Sequence, residues 1–454
     1  VLLRALRGST AALVLLGFAS FALWASVPAL GPLRGPSLLD YLPRYLATFA
    51  LYLAALLILS RSRLPDLTGS LREKPVRSES VIFAFALLFR LPLLATPPTL
   101  SDDVYRYLWD GNVQNNGLSP YAHRVDSPAL DDLATPNRAL VNNPQMASPY
   151  LPAAQIFFTA VYRLAPESVM AFQIMAMLFD LTTGLLIMIL LRRLGRQPAW
   201  AIVYLWNPLV VVEFAHGAHI DSLMTMLMMA ALTFHVSRSR VFRGLCLTLA
   251  QPPAGDVSPI LLALATLVKP VPALLLPVLI PRWGWKRTAI YGLTVLVGLA
   301  AYSGAGWGLT PPLDAGTGLF GAMRLYLSRW NFNGGLYHWL EVWITGYRTE
   351  GAVPPGTPGI ELAKMICAGL LLVILVIVFW RSRSAKFSTT ETAKFWIVPI
   401  AAYVLLTPTV HPWYLAPLVA LLPFAIARQG DTEKERHGGT VISLSPCLLV
   451  SLST

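Results

Sequence analysis

The feature that most limits what this chain can fold into is a repeated alternation of long apolar runs and short basic stretches. Residues 10–30, 45–60, 80–96, 168–191 and 360–380 are almost wholly apolar, at or near the roughly 20 residues that a bilayer-spanning helix needs. Further runs occupy 200–215, 222–236, 288–304, 393–408 and 415–427. Inside lipid the backbone must satisfy its own polar groups, and a helix does so within one segment. The pattern predicts an all-α, polytopic integral membrane protein of about 11–13 transmembrane helices. Residues 1–454 are read as one membrane domain. Composition agrees: 13% of residues are charged and mean hydropathy is +0.58, whereas about a quarter of a soluble domain is charged.

The net charge is +12. In a soluble chain that would suggest nucleic acid. Here the Lys and Arg residues gather between apolar runs, which is the pattern that sets orientation in a membrane. Membrane lipids are therefore expected as partners, and nucleic acid is not. Cys246, Cys367 and Cys447 are far apart and give neither a metal spacing nor a disulfide framework.

Arg4 and Arg7 place the N-terminus inside, and the basic loop 61–80 returns the chain there. Residues 97–166 then form a first external loop whose last part, 149–166, reads as an interfacial helix. The run 168–191 ends at Arg192, Arg193 and Arg196 on the inside, and 200–215 delivers EFAHGAHID to the outside. Residues 244–280 read as a pair of short or re-entrant helices with Lys269 at the external tip. Residues 309–359 form a second external loop, which contains the amphipathic, aromatic-rich GAMRLYLSRWNFNGGLYHWL. TPTVHPWY follows on the outside, and the run 441–454 is too short to span, so the chain reads as ending inside its final helix. Arg90 and Asp180 fall within spans and are expected to pair inside the bundle.

The stretch TLSDDVYRYLWDGNVQNNGLSPY, 99–121, is the most polar part of the first external loop. Ser101 can cap a short helix with Asp102 and Asp103 in its first turn. Asn115-Asn116-Gly117 supplies a stop, and Ser119-Pro120 forbids easy resumption. At helical spacing Asp103, Arg106, Tyr107 and Asp110 share a face, beside Asp102, Tyr105 and Trp109. A capped surface helix would look the same, so the charge pattern gains meaning only from what joins it. Orientation brings Asp102, Asp103, His216, His219, Asp221, Lys269, Arg324, Arg329 and His411 to one external face.

Such a face suits glycosyl transfer. A carboxylate can take the proton of an attacking hydroxyl, and Asp102 or Asp103 is the candidate. Cations stabilise a departing phosphate, and Lys269, Arg324, Arg329 and His411 are candidates, with Arg106 near the carboxylates. Tyr105, Trp109, Trp330, Trp413 and Tyr414 can stack on a sugar or hold a lipid chain, unless they form only the interfacial aromatic belt. His216, His219 and Asp221 contact substrate or phosphate in this reading, as does Asp110. Their spacing leaves room for a divalent metal, but no cofactor is assigned. Asp131 and Asp132 are read as loop surface.

Five motifs then carry a resemblance: PTLSDDVYRYLWDGNVQNNGLSPY, AHGAHIDSLM, LALATLVKPVPALLLP, RLYLSRWNFNGGL and TPTVHPWYLAPLVALLPF, in that order between residues 88 and 424. They resemble those of the GT-C superfamily of membrane glycosyltransferases, in particular bacterial polyprenyl-phosphate-mannose-dependent mannosyltransferases. The resemblance implies transfer of a hexose, foremost mannose, from a polyprenyl-phosphate donor to a glycan or glycolipid acceptor. It implies an inverting reaction at the extracytoplasmic face of the cell membrane, with Asp102 or Asp103 as base and Lys269 near the donor phosphate. An oligosaccharide ligase with a lipid-diphosphate donor is one alternative; this chain lacks the dedicated external domain such enzymes often carry. A transporter or flippase is another, for which internal repeats would be expected and none is evident.

Overall fold

The computed structural model describes residues 8–61, 78–237, 256–308, 316–349, 351–352, 356–384 and 395–426. Most of the basic loop 61–80, the start of the segment 244–280 and the terminal run 441–454 lie outside the described residues.

In chain order the helices are α1 (Gly8–Ala25), α2 (Pro36–Arg61), α3 (Ser78–Arg90), α4 (Asp103–Asn115), α5 (Pro152–Leu164), α6 (Val169–Arg193), α7 (Pro198–Leu205) and α8 (Pro208–His216). There follow α9 (Asp221–Ser237), α10 (Ser258–Val268), α11 (Leu276–Ala301) and α12 (Gly321–Arg329). The segment after α12 adds β1 (Trp330–Asn331), α13 (Gly335–Thr345) and β2 (Gly351–Ala352), before α14 (Pro358–Ser382), α15 (Ile397–Leu406) and α16 (Ala416–Ile426). The protein is an all-α polytopic membrane protein; the two-residue strands β1 and β2 pair antiparallel and only pin a loop.

Among the described residues five helices are long and apolar enough to cross a bilayer, six when the bent pair α7–α8 counts as one span. Of the other expected crossings, 222–236, 393–408 and 415–427 fall on apolar helices of 10–17 residues, below the usual spanning length, and 288–304 falls mostly on the part of α11 that follows a kink at Gly284 (φ +68°). Helices α1, α2, α11 and α14 carry exposed Leu15, Leu39, Leu293 and Met365 among many other large apolar side chains. In water such surface would drive association, whereas lipid accepts it.

The break between α7 and α8, bent by 64°, is tolerated because neighbours satisfy the freed backbone. Tyr52 Oη donates to Val203 O at 2.9 Å, and Arg90 Nη1 donates to Leu205 O at 3.0 Å. Asn207 caps α8 by accepting from Leu209 N at 3.0 Å. Arg90 also pairs with Asp180 on α6, both side chains fully buried. The charges expected within the spans thus meet each other and hold the joint.

Helix α5 packs its buried face, including Phe158, on α4, and leaves Ile156 and Leu164 exposed. Tyr107 of α4 stacks on Phe158 at 4.5 Å. The approach is close enough that a Cβ on Gly111 would meet Phe158 O and Tyr162 Cβ at 2.7 Å. This contact fixes α4 on the bundle and with it the position of Asp103.

Candidate active site

Helix α4 begins at Asp103, one residue later than the capping pattern suggests. Ser101 Oγ accepts from Asp103 N at 3.3 Å, and Asp102 occupies the cap position. The helix stops where expected: Gly117 has φ +77°, and Leu118 N returns to Val113 O at 3.2 Å, closing a Schellman turn.

Asp103 turns inward and Asp102 stays exposed. One amide bridges them: Asn142 Nδ2 donates to Asp102 Oδ1 at 2.7 Å and to Asp103 Oδ1 at 2.9 Å. Asn142 is placed by Arg106, whose guanidinium donates to the carbonyls of Asn142, Asn143 and Met146 at 2.7, 2.9 and 3.1 Å. Arg106 is therefore spent on the loop backbone and supports the carboxylates indirectly.

The other oxygen of Asp103 lies 3.6 Å from His219 Nδ1, and His219 Nε2 lies 3.2 Å from Glu213 Oε2. Neither contact has hydrogen-bond geometry, so the attraction is between charges. The last turn of α8, Val212–His216, is a π-turn, and the chain then passes through Ala218 at φ +57°. His219 N donates to Glu213 O at 3.2 Å across this turn. Gly217 is required between them, because a Cβ there would meet His219 Cδ2 at 2.7 Å and Glu213 O at 2.8 Å. His219 is fully buried and its ring stacks on Trp413 at 3.7 Å.

Burial opposes the charge on His219, but Asp103 and Glu213 outweigh it and raise its pKa to about 9. Burial likewise opposes the charge on Asp103; His219, Lys269 and Asn142 overcome it and hold the carboxyl well below the usual carboxylate range. The two are ionised together at neutral pH.

Lys269 ends α10. Pro270 forces the residue before it into extended backbone, and Lys269 has φ −148° and ψ 146°. Its Nζ meets Asp221 Oδ2 at 2.5 Å and lies 5.3 Å from the Tyr414 ring and 6.0 Å from the Tyr150 ring. His411 precedes Pro412 and is extended for the same reason, with φ −96° and ψ 154°. Its ring stacks on Trp413 at 4.6 Å, and its Nε2 contacts Tyr326 Oη at 3.2 Å. Burial, aided by Lys269 and His219 against the pull of Asp103, lowers His411 to about 4, so it is neutral at neutral pH.

Five sequence motifs thus meet: Asp102 and Asp103, His219 and Asp221, Lys269, Tyr326, and His411 with Trp413 and Tyr414. Trp330 joins through Tyr326 at 5.6 Å. The other candidates have the following surroundings. Tyr105 and Trp109 pack against the loop core of Val113, Val125, Leu130 and Val141, with Arg138 over Trp109. Asp110 is buried against Ser148 and Gln155, and burial raises it to about 6 against the influence of Arg106 and those two bonds. His216 Nε2 accepts from Thr99 N at 3.2 Å, tying α8 to the approach to α4. Arg324 donates to Gly308 O at 3.1 Å within its own loop, and Arg329 closes α12. Among the described residues no group of three or more His, Cys, Asp or Glu is arranged to hold a metal ion.

Sequence reasoning overlooked Glu213, Asn142, Tyr150 and Tyr326. Glu213 stands within EFAHGAHID and Tyr326 within RLYLSRW, so the motifs contained them. Asn142 and Tyr150 carry no signal in isolation.

A bundle of apolar helices that carries carboxylates, cations and aromatics together at one end has the architecture of a membrane glycosyltransferase of the GT-C kind. A family model described as "Alpha-(1->6)-mannopyranosyltransferase, N-terminal domain" matches residues 5–285, and one described as "MptB C-terminal domain" matches 355–452. The chain belongs to this alpha-(1->6)-mannopyranosyltransferase family and is a mannosyltransferase. It is also similar to Alpha-(1->6)-mannopyranosyltransferase A of Mycobacterium tuberculosis, with 26% identity over 398 residues, covering 80% of this chain and 68% of the relative. No solved structure matches it.

Proposed function

We propose that this mannosyltransferase moves mannose from a polyprenyl-phosphate donor to an α-(1→6)-linked mannoside acceptor, free or lipid-linked, at the extracytoplasmic face of the cell membrane. Asp103 is the base. The observation that carries this reading is the juxtaposition of an ionised Asp103 with Lys269 and a cationic His219 in one aromatic-lined cluster. The acceptor hydroxyl attacks the anomeric carbon as the bond from that carbon to the phosphate oxygen breaks. The bonding pair leaves with the phosphate, whose negative charge Lys269 stabilises. The hydroxyl proton passes to Asp103. Asp221 holds Lys269 in place, and Trp413 with Tyr414 forms the apolar wall. The external placement rests on the Lys and Arg distribution between spans.

The test uses the full chain in membranes with radiolabelled polyprenyl-phosphate mannose and a mannoside acceptor. Asp103→Asn should lower transfer by about 10²–10⁴-fold, and Asp102→Asn by no more than about tenfold. Near-normal transfer by the Asp103 variant sinks the base assignment. If the intact chain consumes only a nucleotide-sugar donor, the donor assignment fails.

A further inference from the structure

Apart from the cluster around Asp103, a cleft of about 690 Å³ opens where the C-terminal end of α4, one side of α5 and the end of α11 meet. Its size falls within the range of small-molecule sites. Its polar lining comes from Gln114, Ser119, Thr159, Arg163 and Tyr302, and its apolar wall from Leu118, Ile156 and Ala160.

Gln114 is already committed. Its Nε2 donates to Gln155 Oε1 at 2.7 Å, and its Oε1 accepts from Tyr302 Oη at 3.2 Å. It builds the floor and fixes Tyr302. The others keep capacity at the surface of the cleft. Tyr302 and Thr159 each donate their one proton to protein, Thr159 to Gln155 O at 2.8 Å, and leave oxygen lone pairs to accept. The Ser119 hydroxyl accepts from Tyr121 N at 3.3 Å and still has a proton to donate. Among the described residues Arg163 has no ion-pair or hydrogen-bond partner, so all five of its N–H groups are available.

This inventory selects a ligand class. A single cation without a second one beside it is a poor match for a phosphate, and the lining has no carboxylate for a metal. Donors and acceptors interleaved beside an apolar wall suit hydroxyls, which do both, on a ring that also presents C–H groups.

The cleft is physically joined to the reaction centre. Gln114 and Asp103 are 11 residues apart on one helix, which is about 16 Å along its axis. Tyr302 packs edge-on to Tyr121 at 6.1 Å, Tyr121 Oη donates to Tyr150 O at 2.6 Å, and the Tyr150 ring faces Lys269. We propose that this cleft is a subsite for the distal units of a manno-oligosaccharide acceptor, so that acceptors several units long are held at both ends of α4. This rests on the mannosyl-transfer reading given above, and it adds where the acceptor's far end lies.

Direct binding separates the two. The full chain in nanodiscs of zwitterionic lipid is titrated with an α-(1→6)-linked mannotetraose, with no donor present. Wild type should bind it. Ala160→Trp fills the cleft from an exposed position and should weaken binding by about tenfold or more, and Arg163→Ala by about threefold. Transfer to a simple methyl mannoside should be unchanged in Ala160→Trp. The proposal is overturned if wild type does not bind the tetraose, or if Ala160→Trp binds it as well as wild type. It is also overturned if the cleft instead retains phospholipid headgroups in an Arg163-dependent way and takes no tetraose. Tetraose binding that Ala160→Trp abolishes, in a chain that transfers no mannose, leaves the subsite standing and removes the reaction assigned to Asp103.

Discussion

His219 lies between two carboxylates, and its charge depends on both. Asp103 approaches from α4, Glu213 from the π-turn of α8, Lys269 from the end of α10, and His411 from the segment before α16. With its pKa raised to about 9, the imidazolium persists through neutral pH and is lost as pH rises through that value. A folded-state pKa above the unfolded one means that its contribution to stability is complete below about 6.5 and disappears toward 9. Asp103 runs the opposite way: its contribution holds above the ordinary carboxylate range and is lost as pH falls into it and below. If transfer needs the cationic ring beside Asp103, activity falls on the alkaline side near pH 9. Glu213→Gln removes one of the two stabilising charges, so this alkaline limb should move down by roughly one pH unit, with the acid limb unmoved. A pH–rate profile of membranes bearing the variant checks this; a uniform loss at every pH would reduce Glu213 to a packing role.

At the scale of elements, the site is assembled from breaks in helices. Gly217 is the most exacting, since the backbone of the π-turn leaves no room for a methyl group beside His219 and Glu213 O. Gly217→Ala should push the imidazole out of its bracket and lower transfer by about 10-fold or more, and it should lower the thermal transition as well, because Glu213 O of α8 must also give way. A Gly217→Ala protein with normal transfer would mean that the bracket is not needed. These breaks were also the legible part of the chain. Proline after Lys269 and after His411 fixes extended backbone from the sequence alone, and the Asn-Asn-Gly stop of α4 is equally direct. What could not be read is what depends on contacts made some 40 residues away. Asn142 reaches both aspartates because Arg106 gathers three carbonyls of a loop without periodicity. The same cause removed Arg106 and Asp110 from the cluster: buried polar groups take the nearest partner, and here the nearest partners were the loop backbone, Ser148 and Gln155.

For the whole molecule, the cluster keeps its shape only if the bundle beneath it does, and that bundle contains a fully buried ion pair. Arg90 joins α3 to Asp180 of α6 and also serves Leu205 O, the carbonyl freed where α7 bends into α8. Helix α8 ends at His216, three residues before His219, so the joint sets the height at which the histidine is presented. Removing one partner leaves a buried charge without compensation, at a cost of about 3–5 kcal/mol, whereas replacing both by apolar groups is often close to neutral. Asp180→Leu and Arg90→Met should therefore each lower the unfolding temperature in detergent sharply. The double variant should regain much of the loss, but not all of it, because Leu205 O still lacks its donor. Transfer by the double variant should stay below wild type even at temperatures where it is folded, since the α7–α8 joint has lost its anchor while every residue of the cluster remains. If the single variants melt as wild type does, the pair is not what holds the joint. If the double variant is folded and fully active, the height of His219 is set by Tyr52 and the cap at Asn207 alone.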